Sequence, residues 1–493
     1  MLVLFSRGNT VQNFGMKWIK RKFHASTIPL VFCSALTCGL IAARIARVTV
    51  DIWLPVIFSM FCLVISFATR GYFRLFFALL SGLLCGYARQ MAIVLDQKSL
   101  ASYYGRDVTI SGVLLDDVEN KDSQTRLRIG SLHINNSINT LDCQAYVMLS
   151  ERSDDIERSD SVTLRGVLGD GFGEYDGFMY QPELMSLGKP SPPDIANQIK
   201  HSFLNNIRSL FDEDISNLAL GYLVGDKSNM SDIFIQKLRL AGLSHLVVTS
   251  GFHLSILIEI MKKILNKVSR AATIFGIVAV VVSFISVAGF SASMARASLM
   301  SLLGLAAWYF GRKFNPGRLF LYVIALTLII NPRNLTNVGW QLSFIAYFGI
   351  IFFAPVLMRF LYGPRKPNSF ANALIISISA QLFCLPISIY NFGMFSVAGI
   401  IVGLIISPTI ALVMALTLLS GTFLPFLAVA LEVVIKIHLF LIDYAASIPW
   451  VAIELPPGNK LMLLIYVPLL AFLVFIKHIT RFSFRPRYTL DKS

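Results

Sequence analysis

The sequence predicts a polytopic α-helical membrane protein of about twelve transmembrane helices with one external small β-domain, OB-like. Three observations predict it. Of 493 residues, 55% are apolar and 14% charged, against roughly 45–50% and about 25% in an ordinary soluble domain, which excludes a single soluble globule. Apolar runs recur at close to the roughly 20 residues that cross a bilayer, and the mean hydropathy is +0.67. Between 100 and 190 the apolar runs stop and a period-two alternation replaces them.

Charge follows the same division. The chain carries a net +15, but residues 101–190 hold 8 basic and 15 acidic side chains. The basic excess therefore sits in the apolar remainder, where it reads first as topology and lipid headgroup contact and second as polyanion handling. Five cysteines (Cys33, Cys38, Cys62, Cys85, Cys384) lie in apolar runs and Cys143 in the polar stretch, with no CxxC pair, so neither a zinc site nor a disulfide scaffold is indicated.

Taken in order, Arg7, Lys17, Lys20, Arg21 and Lys22 precede an apolar run from 27 to 43. No small-x-small cleavage signal follows before Arg44 and Arg47, so an uncleaved first span is expected. Runs at 27–46, 51–69 and 73–95 make an N-terminal three-helix segment over 1–99. Positive-inside counting places the N-terminus and Arg70 and Arg74 in the cytoplasm and the polar segment outside. Within 100–190, Val108-Thr109-Ile110, Thr125-Arg126-Leu127-Arg128-Ile129 and Ser161-Val162-Thr163-Leu164 read as strands. Five or six such strands suit an OB-like barrel, although spacing alone does not choose it over another small barrel or sandwich.

Pro190, Pro192 and Pro193 then break the chain, and 191–242 reads as amphipathic interfacial helices. Ile195, Ile199, Phe203, Ile207 and Leu210 recur at helical spacing, with Lys200 and Arg208 toward the polar side. Ser228 and Ser231 are candidate N-caps of a short helix that runs to Ala241 and ends at Gly242. A membrane domain over 243–480 holds nine apolar runs, at 243–261, 272–289, 291–310, 318–330, 338–361, 370–390, 395–416, 419–444 and 461–478. The clusters Lys262/Lys263/Lys267/Arg270, Arg312/Lys313/Arg318, Arg359/Arg365/Lys366 and Arg481/Arg485/Arg487 follow alternate crossings. Both termini are therefore expected in the cytoplasm, the second as a basic tail over 481–493.

Gly225-Asp226-Lys227-Ser228 resembles the end of a phosphate-binding loop, but Asp226 separates Gly from Lys and the upstream glycine spacing is wrong, so ATP binding is not expected. His245, Thr249 and His253 are each four apart and form one polar stripe on an apolar helix, with Ser250-Gly251 able to bend it. Such a stripe faces a bundle interior or a wet cavity, or bonds neighbouring helices. Ser250 with His245 or His253 and Asp226 also supplies the residue types of a hydrolytic triad. Arg296, among the small residues of Ser291-Ala292-Ser293-Met294-Ala295-Arg296-Ala297-Ser298, either snorkels outward or meets an anion in a hydrated path. Gln341 and Gln381 sit within later helices beside Ser343 and Ser379, while Glu432 and Lys436 are spaced to pair with each other. Seven histidines (His24, His133, His201, His245, His253, His438, His478) include no HxH or HExxH, so no metal site or cofactor is expected.

Several of these motifs fall in a recognisable order. Gly225-Asp226-Lys227-Ser228, Ala241-Gly242-Leu243-Ser244-His245-Leu246 and Ser250-Gly251-Phe252-His253 are followed by Arg296-Ala297-Ser298-Leu299-Met300. Asn331-Pro332, Val338-Gly339-Trp340-Gln341-Leu342-Ser343-Phe344, and Ala380-Gln381-Leu382 through Pro386 to Asn391-Phe392-Gly393-Met394-Phe395-Ser396 come next. Together, over about 200–475, they resemble the ComEC family of competence channel proteins. Gly173-Glu174-Tyr175-Asp176-Gly177-Phe178 resembles the closing motif of that family's external OB-like domain.

The resemblance implies movement of one strand of transforming DNA across the cytoplasmic (inner) membrane in natural competence, by a channel and not an enzyme. Asp226, His245, Thr249, Ser250, His253, Arg296, Gln341 and Gln381 would line the path. The partners it implies are single-stranded DNA, an external DNA receptor protein, a cytoplasmic ATP-driven helicase-like motor and membrane lipids. Many members continue into a metallo-β-lactamase-like domain. This chain is expected to lack it, leaving strand degradation to a separate nuclease. A hydrated, protein-lined path is obligatory for a strand carrying one charge per nucleotide. In the OB-like segment, Arg126, Arg128, Tyr175 and Phe178 are candidate DNA contacts, with Tyr103, Tyr104, Tyr146 and Phe172 also available for stacking. Its net acidity keeps contact with a receptor protein open as its role. From other classes, a non-conducting scaffold of an envelope assembly and an intramembrane hydrolase also stand.

Overall fold

The structure is a computed structural model. It describes residues 27–46, 52–69, 71–121, 124–135, 140–151, 153, 155–190, 194–226, 230–243, 251–265, 267–289, 291–311, 315–365, 367–396, 398–422, 424–448, 452–454, 458 and 464–480. The chain divides into two compact units, Met1–Ile195 with Ala295–Asn337, and Ala196–Met294 with Val338–Ser493.

The first unit starts with helices α1 (Thr27–Ala46), α2 (Trp53–Ala68) and α3 (Tyr72–Ala101). Glycines bring α1 and α3 into near backbone contact: a Cβ on Gly39 would lie 2.2 Å from the Leu83 carbonyl oxygen, and one on Gly86 2.1 Å from that of Leu36. Without a hydrophobic driving force between helices in lipid, such close approach and interhelical hydrogen bonds supply the attraction. The α2–α3 contact uses the second device. Ser59 Oγ donates to the Ser81 carbonyl and Ser81 Oγ to the Ser59 carbonyl, both at 2.9 Å.

Helix α3 runs straight into a β-barrel, and Leu100 at its end is buried in the barrel core. Strands β1 (Asp107–Leu114), β2 (Glu119–Lys121), β3 (Gln124–Ile134), β4 (Leu141–Leu149), β5 (Ser161–Asp170), β6 (Gly177–Tyr180) and β7 (Glu183–Gly188) follow. The ring runs β1–β3–β4–β6–β5 and closes from β5 back to β1. The β4–β6 pairing is parallel and the others in the ring are antiparallel. Period-two alternation sends Leu127, Ile129, Cys143, Ala145, Val147, Val162, Leu164 and Met179 inward, as the sequence pattern requires. Burial pushes the Cys143 thiol up to about 12, helped by the nearby Asp176 carboxylate.

Later in this unit lies α10 (Pro316–Ile330), with Asn315 accepting from the Arg318 amide as N-cap. Its C-terminal carbonyls receive a guanidinium: Arg89 of α3 donates to Ile329 at 2.9 Å and Ile330 at 3.1 Å. Cationic donors suit the negative end of a helix dipole.

The second unit begins with α4 (Ile195–Leu210), α5 (Glu213–Leu223) and α6 (Asp232–Leu240). Ser231 caps α6 by accepting from the Phe234 amide, and Gly242 follows at φ +69°, while Ser228 lies outside the described residues. One expectation is corrected in α4. Lys200, read as part of the polar side, is buried with Asn197, Leu204 and Ile207, and Ile195 and Ile199 are the exposed apolar residues. The helix packs its Phe203–Ile207 side closely at Gly421, where a Cβ would lie 2.5 Å from the Phe203 ring and 2.8 Å from Ile207, and Asn206 Nδ2 donates to the Gly421 carbonyl at 2.6 Å.

Helices α7 (Gly251–Leu265), α8 (Arg270–Ala288), α9 (Ala292–Tyr309), α11 (Val338–Tyr362), α12 (Ser369–Phe392), α13 (Ala398–Thr422), α14 (Ala428–Ala446) and α15 (Tyr466–Thr480) complete the helical set. Helix α9 starts in this unit and continues into the first. Ser269 caps α8, and Asn368 caps α12. A π-helical stretch, Gly349–Phe353, interrupts α11. Short strands β8 (Met394–Ser396) and β9 (Ala452–Glu454) pair antiparallel.

Among the described residues seven helices are long and apolar enough to cross a membrane: α1, α3, α8, α11, α12, the Ile401–Thr422 part of α13, and α14 with the turn before it. Trp53–Ala68, Pro316–Ile330 and Tyr466–Thr480 are shorter apolar helices. The protein is thus a mostly helical membrane protein with a small β-barrel, as its hydropathy pattern requires.

The α1–α3 crossing yields a direct expectation. Gly86→Val forces a side chain onto the Leu36 backbone and lowers the detergent-solubilised thermal midpoint, by about 1–3 kcal/mol of overpacking cost. Gly403→Ala, where a Cβ meets nothing within 4 Å, leaves the midpoint close to wild type in the same thermal scan.

Candidate functional site

The outward face of the barrel across β3, β4 and β6 carries a patterned set of side chains. Register places Arg128 opposite Tyr146 and Tyr146 opposite Phe178, and one step along the same face Arg126 opposite Met148 and Met148 opposite Tyr180. Two rungs thus run arginine, then Tyr or Met, then an aromatic ring. Tyr146 and Phe178 stack at 6.3 Å with planes 17° apart. Tyr175 and Phe172, from the loop before β6, add rings 5.0 Å and 5.5 Å from Tyr146. Phe172 and Tyr180 remain 52% and 57% exposed, so this aromatic surface is open to a flat ligand.

The electrostatics of the face are local. Arg128 Nη1 lies 3.1 Å from Asp116 Oδ2 and 3.7 Å from Glu174 Oε1, with its Cζ 5.3 Å from the centroid of the Tyr175 ring. Burial is the main cause that raises both the Tyr175 hydroxyl and the Asp116 carboxyl above their ordinary values. Of the four residues expected here, the structure brings together Arg128, Tyr175 and Phe178, and sets Arg126 on the adjoining rung. Tyr103 and Tyr104 instead pack beside the barrel core.

Beneath this face sits a buried ion pair that sequence reasoning missed. Arg333 Nε donates to Asp176 Oδ2 at 2.8 Å, and the two side chains are 4% and 2% exposed. Gln97 Nε2 donates to Asp176 Oδ1 at 2.6 Å and the Gln144 amide to Oδ2 at 2.9 Å, while Arg333 Nη2 donates to the Asp142 carbonyl. Tyr104 donates its hydroxyl to the Asp176 carbonyl, and Asn337 Nδ2 donates to Glu174 Oε2. The loop that follows α10 is therefore bonded to two consecutive parts of the barrel's Gly173–Phe178 motif. Asn331-Pro332 and the Glu174-Tyr175-Asp176 run were visible in sequence only as separate motifs.

The second unit gathers a different set. At the start of α7 the Gly251 amide donates to Ser293 Oγ at 3.1 Å, and Ser293 Oγ lies 3.1 Å from Ser343 Oγ of α11. His253 is fully buried one step further along α7, and Gln341 and Gln381 are half-buried on α11 and α12. His245, Thr249 and Ser250 lie outside the described residues, and with them the triad geometry. Arg296 is not part of this set: it lies in the portion of α9 that belongs to the first unit, half-buried, with its Nη1 3.9 Å from Met300 Sδ. Asp226 is held by Arg208 at 2.6 Å, and the Lys436–Glu432 pair forms at 2.6 Å as its spacing requires. Among the described residues no group of His, Cys, Asp and Glu is placed to hold a metal ion.

The second unit also contains closely packed non-helical backbone. Gly242, in a left-handed conformation, passes so close to Gly399 that a Cβ would sit 2.6 Å from its Cα. Ser396 Oγ donates to the Leu240 carbonyl at 2.5 Å and accepts from the Gly399 amide at 3.3 Å. In a membrane protein such backbone is tolerated only where protein buries it or water reaches it.

Residues 222–479 match the family described as Competence protein. Among curated proteins, the chain is 24% identical over 276 residues to ComE operon protein 3 of Bacillus subtilis (strain 168), covering 53% of this chain and 34% of that protein. It is 26% identical over 280 residues to the uncharacterized protein MG316 of Mycoplasma genitalium (strain ATCC 33530 / DSM 19775 / NCTC 10195 / G37), covering 56% of this chain and 70% of that protein. The match thus spans about a third of the Bacillus protein's length. No solved structure matches the chain.

The buried pair sets an expectation of its own. Arg333→Met leaves Asp176 charged and buried without its guanidinium, a loss of about 3–5 kcal/mol for a broken buried pair. Hydrogen exchange should then rise across β4 and β6 before it rises in α12, whereas Arg165→Met, at an exposed pair with Asp107, should change neither.

Proposed function

The chain belongs to the Competence protein family, and on that premise we propose that it carries one strand of transforming DNA across the cytoplasmic membrane during natural competence, acting as a channel and not as an enzyme. The observation that carries the reading is the open aromatic and arginine face of the closed barrel. The ring order, with its parallel β4–β6 pairing, supports reading the barrel as OB-like, with β3 and β4 in the place of strands two and three. That is the face on which OB-folds bind oligonucleotides. Base stacking on aromatic rings with cationic side chains alongside is how single strands are held without sequence preference.

In the second unit His253, Ser293, Ser343, Gln341 and the Gly242–Gly399 backbone supply polarity that lipid cannot satisfy and that suits the path of a charged strand. Asp226, His245, Thr249, Ser250, Arg296 and Gln381 belong to the same path. Twelve crossings leave both termini cytoplasmic and the barrel outside. An external receptor delivers the DNA and a cytoplasmic ATP-driven helicase-like motor pulls it. A second reading, a non-conducting scaffold that docks a receptor protein, is favoured by the acidity of residues 101–190, with 15 acidic against 8 basic side chains.

Substitution of the stacking residues separates the two. Tyr146→Ala and Phe178→Ala should each weaken binding of a labelled oligo(dT) to the purified protein by about 1–3 kcal/mol and reduce entry of labelled DNA into cells at equal membrane abundance. A scaffold tolerates both changes, with uptake at the wild-type level.

A further inference from the structure

The barrel face that would hold a single strand carries its central arginine already engaged. Arg128 is bracketed by Asp116 Oδ2 at 3.1 Å and Glu174 Oε1 at 3.7 Å. The other oxygen of Glu174 accepts from Asn337, so this carboxylate is held in position and not free to swing toward solvent. The open rings, Phe172 and Tyr180, carry no charge and remain more than half exposed. A ligand arriving here therefore meets flat apolar rings and a neutralised guanidinium flanked by negative charge.

That arrangement treats the two forms of DNA differently. A duplex keeps its base faces stacked inside and offers a protein surface chiefly its phosphates, whose binding needs unpaired Lys or Arg charge. A single strand offers base faces, which stack on aromatic rings whether or not a phosphate is neutralised. We propose that Asp116 and Glu174 are specificity-determining residues that make this face select single-stranded over duplex DNA, by holding the Arg128 charge away from phosphate and placing carboxylates where a duplex backbone would approach. The inference rests on the single-strand reading above and adds what excludes the duplex. Asn337 acts as a positioning residue for Glu174.

The test uses the full chain in detergent with two labelled probes, a short oligo(dT) and a mixed-sequence duplex of the same length, titrated over a range of salt. D116N and E174Q should each tighten duplex binding by about tenfold, as expected when one charge-assisted contact to phosphate becomes available. The log–log salt slope for the duplex should steepen by about 0.9 for one added phosphate contact. The gain for oligo(dT) should be smaller, so that the single-strand preference falls, and N337A should shift it in the same direction. Duplex affinity and salt slope unchanged in both carboxylate variants, with wild type still binding oligo(dT), overturns this inference alone. Wild type that binds neither probe overturns the single-strand reading and this inference with it. If E174Q loses both probes together because its bond to Asn337 supports the fold, D116N, which leaves that bond intact, decides: tighter duplex binding upholds the proposal and unchanged binding overturns it.

Discussion

The Arg333–Asp176 pair is the constraint on which the first unit depends. Two opposite charges so deeply buried are tolerable only when their remaining donors and acceptors are met, and here they are. Asp176 accepts from Arg333, Gln97 and the Gln144 amide, and Arg333 also reaches Asp142. The four partners come from the loop after α10, from α3 and from the barrel. Because Asp176 stands between Tyr175 and the strand that carries Phe178, the same bonds that hold the barrel to the α3–α10 pair also fix the aromatic face. Arg89 at the C-terminus of α10 adds a second tie between those helices. A site built on such locked supports keeps its rings in stacking geometry without any contribution from the ligand.

In the second unit the constraint is backbone, not charge. Gly242 and Gly399 cross at a distance no side chain permits, and Ser396 bonds to both segments. The short β8–β9 ribbon and the π-helical stretch of α11 add more departures from regular helix within the same unit. Each exposes peptide groups that must be met by protein or water, and π-helical turns occur often at functional sites. At the start of α7 the Ser293 hydroxyl, itself bonded to that of Ser343, satisfies the Gly251 amide, which has no intrahelical partner.

Much of the architecture was legible in the sequence because it follows from local chemistry. Apolar runs mark the helices, and their ends obey capping rules at Ser231, Ser269, Asn315 and Asn368. Alternation in Thr125–Ile129 and Ser161–Leu164 gives the correct inward and outward faces of β3 and β5. What local pattern does not carry is partnership. Arg333 and Asp176 are 157 residues apart, and nothing in either neighbourhood announces the other. Lys200 is buried, on the side opposite to the one on which helical spacing alone sets it, in a helix that packs at Gly421, far along the chain. Likewise the sequence around Arg128 does not reveal its partners, because Asp116 and Glu174 approach it only once the barrel closes. The aromatic set was nearly complete in sequence, since Tyr175 and Phe178 share one motif and Tyr146 alternates with buried residues in β4.

The central claim is that a DNA strand meets both the aromatic barrel face and the polar groups of the second unit as it passes along this protein. The most direct measurement is photo-cross-linking in competent cells, with a benzophenone amino acid at Phe172, at Tyr180 and at Ser343, during entry of labelled DNA. The account predicts adducts to single-stranded DNA at all three positions, early at Phe172 and Tyr180 and later at Ser343, and none at exposed Asp107 across the barrel. Adducts to protein alone at Phe172 and Tyr180, with DNA entry intact and no DNA adduct at Ser343, would contradict it.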